Sequence, residues 1–395
     1  MRRRSRGPDH PIDRQVAPPP SHDFLTRRGT ASLGRGDYRS AAAVLEEAVG
    51  LVPERADLWA QLGRTCLALE RFSRAAECFD RALALDPSDH HARHARARAR
   101  RRLGNRQGAV DDLAVLLERC GDRGDLWDEL ARSLAGIGRL ADALMAHRRV
   151  CELRPGTYQA WYNLGNAQVA AGQVAEALSS YERACDLRDD VPHLHYNRAW
   201  ALARLGRAEE AEDAYRATLR LRRDDHRAWY NLGNLLLECG RPAEARAALR
   251  RAASLKRDDP EIWNNLGNAC LDVGRPRDAE RCYRMALQLA PELASAWNNL
   301  GSVHEVLGSA DAAIGCYERA VALEPRSATY RFNRSVVLAQ TGRLRDAREE
   351  LERAARVDPG VLEAAAKQPS LAPLAREPRL RRLPRGPAGD GPAVP

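Results

Sequence analysis

Apolar and small residues recur along most of the chain with two nested spacings. Within short segments they return every three or four residues, which is the spacing of one face of a helix. Over longer distances a tryptophan returns at intervals of 34 or 68 residues, and we expect it to be buried. The residues at this phase are Trp59, Trp127, Trp161, Trp229, Trp263 and Trp297, which are six of the seven tryptophans. The pattern predicts a tandem repeat of 34 residues.

Other positions keep the same period. With the tryptophan numbered as position 4, units start at residues 22, 56, 90, 124, 158, 192, 226, 260, 294 and 328, and the tenth ends at residue 361. Position 15 is Gly in nine units, with Glu70 as the exception, and position 20 is Ala in all ten. Gly at position 15 can adopt a positive φ and end a first helix. Ala at position 20 lets a second helix approach closely. Each unit is therefore predicted to be two antiparallel helices that must stack on neighbouring units to form a core.

The eighth unit shows the most complete pattern, with Trp263, Leu266, Gly267, Ala279, Tyr283, Ala286 and Pro291. This pattern resembles the tetratricopeptide repeat (TPR) family, and the resemblance covers residues 22–361. It implies an all-α fold, a right-handed α-solenoid superhelix of ten tandem TPR helix-turn-helix units, with the first helices on the concave face. Outside the array we expect a disordered basic N-terminal tail over residues 1–21, a C-terminal capping segment over 362–385 and a disordered tail over 386–395. Apolar residues of the capping segment would cover the last repeat; these are Leu371, Leu374, Leu380 and Leu383.

Asparagine occupies position 6 in the last six units, although it is a poor helix former. Position 9 adds three more asparagines, and position 5 holds three tyrosines beside them. A carboxamide offers a donor and an acceptor, so a row of them can grip the backbone of an extended peptide whatever its side chains. The alternatives are that the amides bond neighbouring helices and set the superhelical pitch, or that they descend from one duplicated ancestor. The candidate peptide-binding residues of repeats 5–10 are Asn163, Asn197, Asn231, Asn265, Asn299, Asn333, Asn166, Asn234, Asn268, Tyr162, Tyr196 and Tyr230.

The Asn-Leu-Gly-Asn run resembles the repeat arm of O-linked N-acetylglucosamine transferases, in which a concave Asn ladder holds extended protein substrates. Their transferase domain would need several hundred residues beyond Pro395, so the resemblance implies a groove and not an activity. We therefore expect a non-catalytic scaffold for an extended segment of a partner protein. Position 2 varies between units, which favours sequence-selective contacts. The chain as the substrate-recruiting subunit of a separately encoded glycosyltransferase or other modifying enzyme is the alternative. A carboxylate clamp is not favoured, because only Arg227 is basic at position 2 of these units.

The third unit carries arginine where the others are apolar. Its first helix could neutralise an acidic protein surface or nucleic-acid phosphates. Nucleic acid is the less favoured partner, because no interleaved aromatic residue offers a base a stacking surface. The alternative without a binding role is a loosely packed, solvated helix with outward Arg stems. Such a helix would divide the array into repeats 1–2 and 4–10. The residues of this basic patch are Arg93, Arg96, Arg98, Arg100, Arg101 and Arg102.

Composition excludes several classes of function. The net charge of +9 is concentrated at the two ends and in the third unit. No apolar run is long enough for a transmembrane helix, and the basic N-terminus lacks the apolar core of a secretory signal. The nine cysteines form no CxxC pair, so we expect free thiols in the reducing cytoplasm.

Motifs for catalysis and for metal binding are missing. The sequence contains no Gly-Lys dipeptide for a phosphate loop and no Gly-x-Ser-x-Gly nucleophile elbow. His304-Glu305 lacks the second histidine that a His-Glu-x-x-His zinc motif requires. His90 and His94 are one helical turn apart, but no nearby carboxylate or cysteine completes a metal site, and the arginines around them repel cations. The sequence therefore predicts no enzyme activity, no cofactor and no metal.

Overall fold

The structure is a computed structural model that describes residues 22–377 and residue 380. Every element in that part of the chain is a helix, so the predicted all-α fold of tandem helix-turn-helix repeats is confirmed. The tails expected over residues 1–21 and 386–395 lie outside the described residues, as does Leu383. The described helices include none that is both long and apolar enough to span a membrane.

The chain divides into two compact units, and the first ends at Leu187. Its helices alternate between the first and second members of five pairs. They are α1 (His22–Gly34), α2 (Tyr38–Leu51), α3 (Ala56–Ala68), α4 (Phe72–Leu85), α5 (His90–Arg102), α6 (Arg106–Cys120), α7 (Gly124–Ala135), α8 (Leu140–Leu153), α9 (Tyr158–Ala170) and α10 (Val174–Leu187).

The second unit begins at Arg188, so the division falls between the fifth and sixth repeats. The expectation that the third repeat divides the array was wrong, because α5 and α6 belong to the first unit. Five more pairs and two short helices follow. They are α11 (Pro192–Arg204), α12 (Ala208–Leu221), α13 (His226–Glu238), α14 (Pro242–Leu255), α15 (Pro260–Asp272), α16 (Pro276–Leu289), α17 (Ala294–Val306), α18 (Ala310–Leu323), α19 (Ala328–Gln340), α20 (Leu344–Val357), α21 (Val361–Lys367) and α22 (Ala372–Ala375).

A left-handed residue at position 15 ends each first helix. Nine of these residues are glycines with φ between 69° and 80°, and the tenth is Glu70 with φ 57°. At α9, for example, Gly172 N donates to Val169 O at 2.9 Å and Gln173 N donates to Gln168 O at 2.8 Å. These bonds occupy carbonyls that the end of the helix would otherwise leave without donors.

Within a pair, a glycine at position 8 lets the two helices approach closely. A Cβ on Gly301 would lie 2.7 Å from the ring of Tyr317, which is fully buried. The same relationship joins Gly267 to Tyr283. The aromatic residue at position 24 therefore fills the space that the missing side chain leaves.

The position-4 tryptophans are half-buried, so the expectation that they are buried was wrong. In five of the six, the indole N–H instead binds the carbonyl oxygen of position 32 of the preceding repeat, and Trp127 binds Asp122. Trp263 Nε1 donates to Arg257 O at 2.8 Å, and Trp297 Nε1 donates to Pro291 O at 2.9 Å. A polar tip that must reach the connecting segment keeps part of the ring at the surface.

After the last repeat, the chain packs its leucines against α20. Leu371, Leu374 and Leu380 are buried in one apolar cluster with Leu351 and Ala354. We propose that this segment covers the apolar face of the last repeat, as a terminal cap of a solenoid would.

Candidate functional site

The Asn row of the second unit is built from hydrogen bonds between successive first helices. Asn265 Nδ2 on α15 donates to Tyr230 Oη at 3.1 Å and to Asn234 Oδ1 at 3.0 Å, both on α13. Asn231 Nδ2 donates to Tyr196 Oη on α11 at 2.9 Å. Position 6 of one repeat thus bonds positions 5 and 9 of the repeat before it.

The row continues towards the C-terminus with amides in place of the tyrosines. Asn299 Nδ2 on α17 donates to Asn264 Oδ1 at 3.1 Å and to Asn268 Oδ1 at 3.0 Å. Asn333 Nδ2 on α19 donates to Asn298 Oδ1 at 2.8 Å. Tyrosine hydroxyls and Asn oxygens are therefore interchangeable acceptors at position 5.

Three predicted site residues lie on α9, in the first unit, and Asn197 lies half-buried on α11, in the second. Asn163 Nδ2 donates to Asp128 Oδ1 at 3.3 Å, so the position-6 to position-5 bond also occurs in this unit. Asn166 is exposed, and its Oδ1 accepts a bond from Tyr181 Oη at 2.8 Å. The ring of Tyr162 lies 6.1 Å from the ring of Tyr181.

The tyrosines at position 5 are packed rather than freely presented. Tyr196 and Tyr230 are half-buried, and burial raises the pKa of both phenols. The ring of Tyr196 also meets Tyr215 edge-on at 6.0 Å and lies 5.3 Å from the guanidinium of Arg227. These hydroxyls stay neutral and act as hydrogen-bonding groups at physiological pH.

Asn268 at position 9 differs from the position-6 amides. Its Oδ1 accepts bonds from Asn299 Nδ2 at 3.0 Å and from Tyr283 Oη at 2.7 Å, which uses both lone pairs. Its Nδ2 donates to no atom in the part of the chain that the structure describes, and it is not enclosed. This amide holds its own position through its oxygen and leaves its donors to solvent.

The basic patch on α5 separates into two groups. Arg96 and Arg100 are half-buried, and both donate to Asp80 and to the buried Asp112. Arg93 Nη1 lies 3.9 Å from Asp112, and its Nη2 donates to Pro87 O at 2.8 Å. These three guanidinium groups are held by two carboxylates, Asp112 on α6 and Asp80 on α4, so the alternative of outward Arg stems was wrong for them.

The other three arginines of the patch line a groove of about 540 Å³. Arg98, Arg101 and Arg102 lie there with Arg64 and His94. His94 Nε2 is 3.3 Å from Glu129 Oε2. Burial raises the pKa of Glu129, but the bond from His94 and the nearby positive charges outweigh burial and lower the pKa below its ordinary value. The groove remains positive, because four arginines line it and the acids near them are Glu129 and Glu70.

The tenth repeat contains an ion network that our sequence reasoning missed. Arg331 and Arg334, at positions 4 and 7, both reach the buried Glu350 at position 23. Arg93, Arg96 and Asp112 occupy the same three positions of the third repeat. The signal was present in the sequence: position 23 is small or apolar in the eight other repeats, and it is acidic only where positions 4 and 7 are arginine. Among the described residues, the structure contains no group of three His, Cys, Asp or Glu that could hold a metal ion.

Comparison with known proteins gives the family. The sequence model of the family described as cilia and flagella-associated protein 70 C-terminal domain, a TPR domain, matches residues 109–372, and a tetratricopeptide repeat model matches residues 32–99. No curated protein sequence matches this chain.

Three of the solved structures that are similar to this chain are described by their identity and coverage. YrrB, titled a TPR protein with an unusual peptide-binding site, has 21% identity and a TM-score of 0.42, covering 46% of this chain and 93% of its own. The Cut9–Hcn1 tetramer of the APC/C has 15% identity and a TM-score of 0.46, covering 91% and 97%. The pilF protein of Pseudomonas aeruginosa has 20% identity and a TM-score of 0.45, covering 52% and 94%. Since the family model spans about two thirds of the sequence, the chain belongs to the tetratricopeptide-repeat family described by the C-terminal domain of cilia and flagella-associated protein 70.

Proposed function

We propose that the chain is a non-catalytic protein-interaction scaffold that binds an extended segment of a partner protein along the Asn row. The observation that carries the proposal is the amide of Asn268, whose oxygen is fixed by two hydrogen bonds while its donors are open. The proposal concerns the part of the row in the second unit, on α11 to α19. A donor held in place before binding costs little conformational entropy when a ligand arrives.

The same row also presents an acceptor. Asn333 uses its Nδ2 to bond Asn298, and its Oδ1 accepts no bond within the described residues and is not enclosed. An extended peptide alternates N–H and C=O groups, so it can satisfy an open donor and an open acceptor without regard to its side chains. The bonds between repeats would then serve binding by fixing the amides, so the structural and ligand-binding interpretations of the row are compatible.

Residues at position 2 would select among partner sequences. They differ in charge and size from one repeat to the next, and none repeats within the second unit. The residues are His193, Arg227, Glu261, Ser295 and Thr329.

The test begins with selection of peptides from a random displayed library on the full chain. The affinity of a selected peptide is then measured for Asn268→Asp, which keeps the oxygen that accepts from Asn299 and Tyr283 but replaces the open donor. Gln288→Glu, an exposed amide-to-acid change on α16, is the matched control. We expect at least fivefold weaker binding for Asn268→Asp, from one lost hydrogen bond of about 1 kcal/mol, and no change for the control.

An unchanged affinity in Asn268→Asp, with the circular dichroism of both variants equal to wild type, would remove the row as the binding site. Failure of the library to yield any peptide would count against the proposal as a whole.

A second candidate is an acidic protein segment bound in the groove of the first unit, which contains Arg98, Arg101 and Arg102. Fluorescent polyglutamate is the probe, and a DNA duplex is the comparison. We expect polyglutamate to bind wild type and to lose at least tenfold in affinity in Arg98→Glu/Arg101→Glu. Equal binding to that variant would exclude the groove, and preferential binding of the duplex would favour a nucleic-acid partner.

We also propose that the scaffold works in the cytoplasm. All nine cysteines are free thiols, which suits a reducing compartment. Cell fractionation followed by thiol labelling tests this, and recovery outside the cytoplasm would contradict it.

A further inference from the structure

A large cleft lies between α12 and α14, on a different face of α13 from the Asn row. Trp229 precedes Asn231 by two residues, which places the two side chains about 200° apart around the helix. The cleft has a volume of about 830 Å³ and an apolar floor formed by Leu219, Leu232 and Leu236. These leucines are at most 6% exposed, so the floor of the cleft consists of core residues of the unit.

Trp229 forms one wall of this cleft, and its indole N–H has a hydrogen-bond partner within the protein. Its Nε1 already donates to Arg223 O at 2.9 Å. A partner group that covers the ring would therefore bury apolar surface without removing a hydrogen bond. Tryptophan and arginine are the residues that contribute most to binding energy at protein interfaces.

Four arginines form the rim of the cleft, and Glu244 is the one acid among the described residues that line it. Arg220, Arg223 and Arg251 are exposed, and none of them forms an ion pair or a side-chain hydrogen bond with another described residue. Most other arginines of this unit are paired; Arg216, also on the rim, bonds Glu212 at 2.6 Å. Three unpaired guanidinium groups around an apolar floor complement a ligand with an apolar face bordered by carboxylates.

The next repeat has a related cleft of about 640 Å³, in which Trp263 takes the place of Trp229. Arg257 corresponds there to Arg223, whereas Ser254 corresponds to Arg220. Arginines therefore line both clefts, since the second also contains Arg246, Arg250, Arg275 and Arg281, and the first cleft is the larger of the two.

We propose that the cleft between α12 and α14 binds an amphipathic helix of a partner protein whose apolar face is flanked by Asp and Glu. Apolar side chains of the helix would rest on Trp229 and the leucine floor, and its carboxylates would pair with Arg220, Arg223 and Arg251. This site is separate from the Asn row, so the chain would hold two segments of partner proteins at once.

The probe is a fluorescein-labelled peptide of about 18 residues, built from Leu and Glu at the spacing of an amphipathic helix. One control peptide has Ser in place of Leu, and another has Lys in place of Glu. Anisotropy with the full chain should detect binding of the first peptide and at least tenfold weaker binding of both controls. Arg220→Glu/Arg223→Glu should weaken binding of the first peptide at least tenfold, whereas Arg277→Glu/Arg345→Glu, on α16 and α20, should not.

Ala247→Glu provides a second test that leaves the arginines in place. Ala247 is an exposed helical residue on the wall of the cleft, so the change adds an acid without disturbing the core. We expect it also to weaken binding at least tenfold. Asn268→Asp should leave this binding unchanged, so the outcome is independent of the Asn-row proposal.

Several results would overturn the proposal. One is equal binding of the Leu–Glu peptide to the rim variants and to wild type, and another is equal binding of the Ser-containing peptide. Self-association in sedimentation velocity that the rim variants abolish would identify a second copy of the chain as the occupant instead. Binding of vesicles of phosphatidylserine and phosphatidylcholine, without binding of the peptide, would identify a lipid surface.

Discussion

Arg331 donates hydrogen bonds to the carbonyl oxygen of Pro325, from Nε at 3.1 Å and from Nη2 at 2.9 Å. In five other repeats the indole N–H of the position-4 tryptophan makes this bond, as Trp297 does to Pro291. Arginine at position 4 thus replaces the polar function of tryptophan, and a buried acid at position 23 balances its charge. The third and tenth repeats depart from the apolar pattern in this same way.

The ion network of the third repeat should be essential to the local packing of α5 and α6. Asp112→Ala leaves Arg96 and Arg100 half-buried with Asp80 as their remaining carboxylate. We expect a loss of about 3 kcal/mol in the free energy of unfolding, measured by urea denaturation. Asp111→Ala, its exposed neighbour, should change stability by less than about 0.5 kcal/mol. Equal losses in the two variants would show that the network contributes little.

The close approach at Gly301 predicts that alanine substitutions at two glycines of the ninth repeat have opposite effects on stability. Gly301→Ala places a methyl group 2.7 Å from the ring of Tyr317, and we expect a loss of about 1–3 kcal/mol. Gly315→Ala, at an exposed position of α18 where the added atom meets nothing, should gain about 0.5–1 kcal/mol. Thermal unfolding of the two variants checks the pair, and a stabilised Gly301→Ala would refute the packing described for α17 and α18.

Glu70 has a positive φ where every other repeat has glycine. Its side chain is exposed and lies 3.8 Å from Arg102, a contact worth little at the surface. Glu70→Gly should therefore stabilise the chain by about 1 kcal/mol, because it removes left-handed strain. Glu77→Gly, within α4, should instead cost about 1 kcal/mol. If Glu70→Gly were less stable than wild type in urea titrations, the backbone strain inferred at Glu70 would be excluded.

Glu305 predicts a pH dependence of stability. Burial raises the pKa of this carboxyl above its ordinary 4.5, although Tyr317 Oη donates to it and lowers the pKa in part. A raised pKa in the folded state stabilises the protein below the ordinary pKa, and this stabilisation is lost as the pH rises through the folded value. Glu305→Gln should therefore have a higher Tm than wild type at pH 7, and the difference should shrink as the pH falls towards 4.5.

The control for this change is Glu318→Gln at an exposed position of α18, for which we expect little difference at either pH. If the difference in Tm between Glu305→Gln and wild type were the same at pH 7 and at pH 4.5, a raised pKa of Glu305 would be excluded.

The helical fold was predictable because its determinants repeat in the sequence. Gly at position 15 and Ala at position 20 specify where helices end and where they touch, and Glu70 is the one exception among the ten pairs. The partners of the Asn side chains were not predictable in this way. Whether Asn265 faces a ligand or Tyr230 depends on how neighbouring first helices rotate about each other, and the period of the sequence does not encode that rotation. The pairing of Arg96 with Asp112 could have been predicted, because both residues interrupt the pattern of small and apolar positions in the same repeat. The periodicity of the apolar residues alone does not reveal it.

The proposed contact between the open amide of Asn268 and a partner peptide can be observed by side-chain ¹⁵N NMR of the full chain. Asn268→Asp assigns the resonance by its disappearance, and Asn105, whose oxygen caps α6 by accepting from Gly108 N, is the internal control. Addition of a library-selected peptide should shift the Nδ2 resonance of Asn268 and leave that of Asn105 in place. A peptide that binds the chain without moving the Asn268 resonance would contradict this contact.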